Sequence, residues 1–201
     1  MPSPDEYLTI ARPGRSELRI KGSRFLGFAQ PVKSEEDADR QRSQLKRKYH
    51  DAAHQPFAYR LADDHERCSD DGEPRGTAGP PILTEIQGAG LYDLQVVVVR
   101  YFGGTKLGKG GLARAFSECA RMSLENAGRK KARSIAFLHL ILTPDKVNLA
   151  KGIAARFDAK VASLSFDLKA HIQLTVPASR LDDCCQTLLE RFGPDIFEQT
   201  A

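Results

Sequence analysis

The chain has 201 residues, a formal net charge of +4, an apolar share of 41% and a charged share of 28%. That balance suits a folded protein, is too apolar for a disordered one, and gives no whole-molecule basic field to attract nucleic acid. No run approaches the roughly 20 apolar residues of a membrane helix, and the start MPSPDEYLTI lacks the basic-then-apolar pattern of a secretory signal.

Residues 6–32 predict two strands and a turn at Pro13-Gly14, with Lys21, Ser23 and Arg24 entering the second strand. A helix follows, capped by Ser34, with Glu35, Glu36 and Asp37 in its first turn and Lys46, Arg47 and Lys48 in its last. Ala38, Leu45, Tyr49 and Ala52 give it an apolar face. Residues 56–62 predict a strand, 63–81 a long irregular segment, and 81–87 a short helix. Leu94 to Phe102 is apolar on both faces and predicts a central strand. After a glycine-rich turn, Leu112, Ala115, Phe116, Cys119, Ala120, Ser123 and Ala127 mark one face of a helix that Gly128 ends.

Arg129, Lys130, Lys131 and Arg133 read as a basic linker, dividing a domain over 1–130 from one over 131–201. In the second domain a strand over 134–142 leads into a helix begun by Thr143-Pro144-Asp145, with Val147, Ala150, Ile153, Ala154 and Phe157 inward. Ala162, Leu164, Phe166 and Leu168 alternate on one strand, and Ala170, Ile172, Leu174 and Val176 on the next. Ser179 predicts the cap of a last helix with Leu181, Cys184, Cys185, Leu188, Leu189 and Phe192 inward, and Ile196 and Phe197 a short final strand. The fold class is α+β in two domains, the second a ferredoxin-like βαββαβ arrangement.

The turn Arg100-Tyr101-Phe102-Gly103-Gly104-Thr105-Lys106-Leu107-Gly108-Lys109-Gly110-Gly111 stands between a buried strand and a helix. Free amides at a helix N-terminus suit a phosphate or carboxylate, and glycines let it reach the backbone. Arg100, Gly103, Gly104, Lys106, Gly108, Lys109, Gly110, Gly111 and Arg114 are therefore candidate ligand contacts. Gly103 to Lys109 fits the start of a Walker A loop, but Gly110 stands where the magnesium-binding hydroxyl belongs, which argues against an NTPase. The competing reading is a tight turn packed on neighbouring backbone.

Gly76 and Thr77, within Gly76-Thr77-Ala78-Gly79, offer further amides and a hydroxyl to a ligand. Asp70, Asp71 and Glu73 are candidate acids, bases or metal ligands, against the plainer reading of a surface turn. His50 and His54 would share a face if the helix continued; a third metal ligand is wanting unless His65 or Cys68 comes near. Cys68, Cys119, Cys184 and Cys185 contain no C-x-x-C pair, so structural zinc and a disulfide framework are not expected and a reducing, cytoplasmic setting fits. No metal and no cofactor is expected.

Lys21-Gly22-Ser23-Arg24-Phe25, His50-Asp51-Ala52-Ala53-His54, Asp70-Asp71-Gly72-Glu73-Pro74 with Gly76-Thr77-Ala78-Gly79, and Arg100 to Ala115 together resemble the IMPACT/YigZ family over about residues 15–127. The last 70 or so residues look like the second domain of bacterial members. The resemblance implies a first domain similar to a small-subunit ribosomal protein domain and RNase PH, and a second similar to domain V of elongation factor G. It also implies a role near translation or RNA, and couples the glycine-rich turn, the Asp70–Gly79 loop and His50/His54 into one composite site. Arg75, Pro80 and Pro56-Phe57 depart from the family pattern. The expected function is binding of RNA or another phosphate-bearing ligand, with RNA, the ribosome or a translation factor as partner. The alternatives are a hydrolase centred on the histidines and carboxylates, acting on a phosphate- or peptide-like substrate, and a protein-interaction adaptor.

Overall fold

The computed structural model describes residues 5–197, which divide into two compact units: residues 7–132, and residues 5–6 with 133–197. No helix among the described residues is long and apolar enough to cross a membrane.

The elements up to residue 133 are β1 (Glu6–Ile10), β2 (Gly14–Ile20), β3 (Ser23–Pro31), α1 (Glu35–Lys48), β4 (Phe57–Arg60), β5 (Glu66–Ser69), α2 (Gly79–Gly88), β6 (Leu94–Tyr101), α3 (Gly108–Ala127) and β7 (Arg129–Arg133). Residues 6–32 thus hold three strands, not two. The amides of Ala11 and Arg12 turn to the carbonyls of Gly128 and Ala127, which takes the chain out of β1 before Pro13. β2 and β3 then form a hairpin around Lys21 (φ 46°) and Gly22 (φ 81°). A two-residue turn with positive φ at both positions matches the twist of its strands.

A five-stranded antiparallel sheet runs β2-β3-β6-β4-β5, so β6 is central, as its valine run requires. Val96 and Val98 join Phe25, Ala29 and the inward faces of α2 and α3; Val97 and Val99 join Leu26, Phe28, Tyr59 and α1 on the other side. Each fully buried side chain of this size stabilises the fold by roughly 1.5–3 kcal/mol. The predicted face of α3 is buried throughout, with Leu124 added, and Gly128 ends the helix at φ 65°. The irregular segment expected over 63–81 contains β5, paired to β4. The basic stretch after α3 is not a linker. It is β7, hydrogen-bonded to β1 and exposed along most of its length, so no apolar alternation marks it.

The other unit contains β8 (Ile135–Leu142), a 3-10 turn at Pro144–Lys146, α4 (Val147–Ala155), β9 (Lys160–Phe166), β10 (Ala170–Pro177) and α5 (Leu181–Phe192). Its antiparallel sheet runs β8-β10-β9, and Phe197 bridges Leu140 beside β8. Leu138, Leu140, Ile172, Leu174 and Val176 face Val147, Ala150, Cys184 and Leu188 across one core. β10 alternates as predicted, but β9 does not supply the core row expected of it. Of that row only Leu164 is partly buried, whereas Ala162, Phe166 and Leu168 are exposed. β9 is an edge strand, and its register against β10 shifts between Gln173 and Leu174. Ser179 does not cap α5. A 3-10 turn over Ala178–Arg180 intervenes, and the Ser179 hydroxyl donates to Asp5 instead. Cys68, Cys119, Cys184 and Cys185 are free thiols, and burial pushes Cys119 and Cys184 up to about 11.

Candidate anion-binding site

Contacts among four segments link them at one end of the large sheet: the β2–β3 hairpin turn, residues 50–56 after α1, the loop between β5 and α2, and the glycine-rich turn between β6 and α3. The hairpin and the glycine-rich turn touch backbone to backbone. A Cβ on Gly103 would lie 1.9 Å from the carbonyl carbon of Gly22, so only glycine fits there. The Gly103 amide donates to Ser23 Oγ at 3.2 Å, and Ser23 is fully buried. His54 bridges Arg100 through the backbone.

The loop after β5 is held by its own carboxylates. Asp70 Oδ1 accepts from the amides of Ala78 and Gly79, both at 2.9 Å, and Oδ2 from Gly76 at 2.8 Å. Burial pushes the Asp70 pKa up, but these amides, with Arg75 nearby, outweigh it and hold the carboxyl below its usual range. A carboxylate thus fills the N-terminus of α2, where unpaired amides and the helix dipole favour negative charge. The Thr77 amide and hydroxyl both donate to the Pro74 carbonyl, at 3.0 and 2.6 Å. Gly76 and Thr77 are therefore not the open ligand contacts the sequence suggested; their donors close the loop on itself.

Asp71 Oδ2 accepts from the Gln55 amide at 2.9 Å, and Oδ1 from Lys46 Nζ at 3.1 Å. His54 Nδ1 lies 2.8 Å from the Asp71 carbonyl, so this nitrogen carries the proton and donates. Gly72, at φ 90°, leaves room for that ring, whose nearest atoms would lie 2.8 Å from an added Cβ. Glu73 is buried and accepts from Arg100 Nη1 at 2.6 and 2.7 Å.

Arg100 is accordingly not a free contact for an external anion. Its side chain is 8% exposed, its charge is paired with Glu73, and it lies 5.6 Å from both the Phe25 and Phe102 rings. His50 and His54 do not share a helical face, because α1 ends at Lys48 with Tyr49 as its C-cap. His65 instead stacks on Tyr59 at 5.9 Å. Among the described residues no three His, Cys, Asp or Glu side chains are grouped to hold a metal ion.

The glycine-rich turn is different. Phe102 to Lys106 and Gly108 to Gly110 are exposed, as is Arg114. Lys106, Lys109 and Arg114 form no ion pair among the described residues. Gly104 and Gly108 have φ of 85° and 71°, which only glycine adopts readily. Gly110 has neither a positive φ nor any atom within 4 Å of an added Cβ. Leu107, the N-cap of α3, provides no side-chain hydrogen bond. The sheet thus carries two helix N-termini of opposite character: α2 is filled by Asp70, whereas among the described residues no side chain caps α3, which lies beside exposed lysines. Sequence reasoning left Lys21 out of the site. It is an exposed cation next to Gly22, and the signal for it was the hairpin motif Lys21-Gly22.

The Impact N-terminal domain matches residues 21–124, which span all four segments. The chain belongs to the IMPACT family. It is 36% identical to the IMPACT family member YvyE of Bacillus subtilis, over 66% of this chain and 62% of that protein, so the match stops short of two thirds of YvyE. Against the family member YigZ of Escherichia coli it is 27% identical over 88% of this chain and 89% of that one. Among solved structures, a hypothetical protein at 26% identity covers 94% of this chain and 95% of its own, with a TM-score of 0.69. Yih1, described as a two-domain translational regulator, is 30% identical over 60% of this chain and 47% of its own, but the TM-score of 0.38 is too low to extend that role here.

Proposed function

We propose that the head of α3 binds the phosphates of RNA, or of another phosphate-bearing ligand, in a role near translation or its regulation. The observation that carries this reading is the contrast between the two helix N-termini. The same sheet end uses an internal carboxylate to satisfy α2 and, among the described residues, leaves α3 without a side-chain cap. Amides of the first turn, the dipole, and Lys106, Lys109 and Arg114 all favour an incoming anion. Gly110 supports it further, since neither backbone conformation nor packing asks for a glycine there.

The family resemblance supplies the translational setting. It also supports reading the first unit as similar to a ribosomal-protein and RNase PH domain. The β8-β10-β9 order with Phe197 beside β8 supports a ferredoxin-like second unit similar to domain V of elongation factor G. The hydrolase reading has less behind it, because Asp70 already serves its own loop's amides, Asp71 the Gln55 amide and Lys46, and Glu73 the Arg100 guanidinium.

The test is titration of the protein with RNA at low and high salt. Binding should weaken as salt rises, and Lys106→Ala with Arg114→Ala should weaken it further. Unchanged affinity in that variant at both salt concentrations overturns the proposal.

A further inference from the structure

A groove along the edge strand β2, which Met122 and Asn126 of α3 also border, is a second feature that the phosphate site does not use. It measures about 470 Å³ and is bounded by Arg15, Arg24, Phe28, Tyr49 and Tyr101. Its size falls within the ~300–1,000 Å³ of small-ligand sites. Strand pairing explains the convergence: Arg15 is opposite Phe28, Arg19 opposite Arg24, and Arg24 opposite Tyr101, and residues directly opposite share a face. Tyr49 arrives from the end of α1, its ring 5.3 Å from Phe28.

The charges around it are mixed in an informative way. Lys48 Nζ lies 5.4 Å from the Tyr49 ring and the Arg15 guanidinium 6.0 Å from that of Phe28. Arg19 and Arg24 share the carboxylate of Glu17, with Arg24 bonded to both its oxygens at 3.0 Å. Asp51 accepts from the Tyr101 hydroxyl at 2.9 Å. Four cations (Arg15, Arg19, Arg24, Lys48) and two carboxylates (Glu17, Asp51) therefore surround the part-exposed rings of Tyr49 and Tyr101, with buried Phe28 beneath. A bare anion would be repelled by those carboxylates. A nucleotide strand brings phosphates for the cations, base faces for the tyrosines, and amino and 2′-hydroxyl donors for Glu17 and Asp51.

We infer that this groove is a base-stacking subsite for single-stranded RNA, with Tyr49 and Tyr101 as the stacking rings and Arg15 and Arg24 as phosphate contacts. The inference rests on the RNA reading of the α3 site. Tyr101 closes β6, and only Phe102 separates it from Gly103, the first glycine of the turn, so one RNA strand rounding the sheet end can reach both places.

The experiment compares three ligands: a single-stranded RNA oligomer, an abasic oligomer of equal length, and the matching DNA strand. Each is titrated against the wild type, Tyr49→Leu and Tyr101→Leu, with thermal unfolding as the check that the variants fold. The RNA should bind the wild type more tightly than the abasic strand. Each variant should lose roughly 5- to 100-fold for RNA and nothing for the abasic strand. DNA should fall between, for want of the 2′-hydroxyl. If RNA and abasic strand bind equally, or if the folded variants bind RNA as the wild type does, the subsite is overturned while the phosphate site stands. If no strand binds at all, the subsite falls together with the RNA reading of the α3 site on which it rests.

Discussion

Arg100 Nη1 donates to both carboxylate oxygens of Glu73, at 2.6 and 2.7 Å, with both side chains buried at the base of the candidate site. The Arg100 Nε is buried beside it with no hydrogen-bond partner among the described residues, so the pair is only partly satisfied. Removing one member leaves the other charge buried and alone. Glu73→Ala should cost about 3–5 kcal/mol. Replacing both members with apolar residues of similar size should cost much less, giving a strong non-additivity in urea unfolding.

Asp70 connects pH to the same loop. Its folded pKa lies below the unfolded value, so its stabilisation is present above the unfolded pKa, near 3.9, and is lost as pH falls through the folded value. Asp70→Asn should therefore destabilise the protein at neutral pH by about 1–3 kcal/mol. The gap to the wild type should close on acidification, which unfolding curves taken from neutral pH to below pH 4 would show.

Two glycines of one turn should respond in opposite ways. Gly103→Ala drives a methyl group into the Gly22 backbone and should prevent native packing of the hairpin against the turn. Gly110→Ala meets nothing within 4 Å and adds a better helix former, so it should leave stability unchanged or raise it by up to about 1 kcal/mol. If the α3 head receives a ligand, that methyl group obstructs it. Thermal melts and RNA titration of Gly110→Ala should then diverge, with a stable fold and weakened binding.

Lys106→Ala and Lys109→Ala, singly and together, should act on the salt dependence more than on the fold, since both side chains are exposed. For a single strand, each lysine withdrawn from a phosphate should reduce the slope of log affinity against log salt by about 0.7. Equal slopes for wild type and the double variant would remove these lysines from the interface.

Much of this was legible in the sequence, and what escaped did so for definite reasons. The face of α3 and the core strand β6 follow from periodicity, because each buries a continuous row of side chains. The site was legible as residue types at one sheet end, but not as pairs. Nothing in the sequence says that Glu73 reaches Arg100 across 27 positions, or that Asp70 closes on Gly76, Ala78 and Gly79. Hence Arg100 read as open to a ligand although its charge is paired with buried Glu73, and Gly76 and Thr77 although their donors are already engaged. β7 and β9 were misread for a related reason. An exposed strand and an edge strand are held by backbone bonds that side-chain patterning does not record.

The filled N-terminus of α2 makes Asp70 a covalently attached guest in a pocket that its own backbone forms. Cutting the guest away while leaving the pocket, as in Asp70→Gly, turns an intramolecular contact into a bimolecular one. Free formate or acetate should then restore part of the forfeited stability in a saturable way. The affinity of that rescue would measure what an unfilled helix head on this sheet offers an anion, and so set the scale against which binding at α3 can be judged.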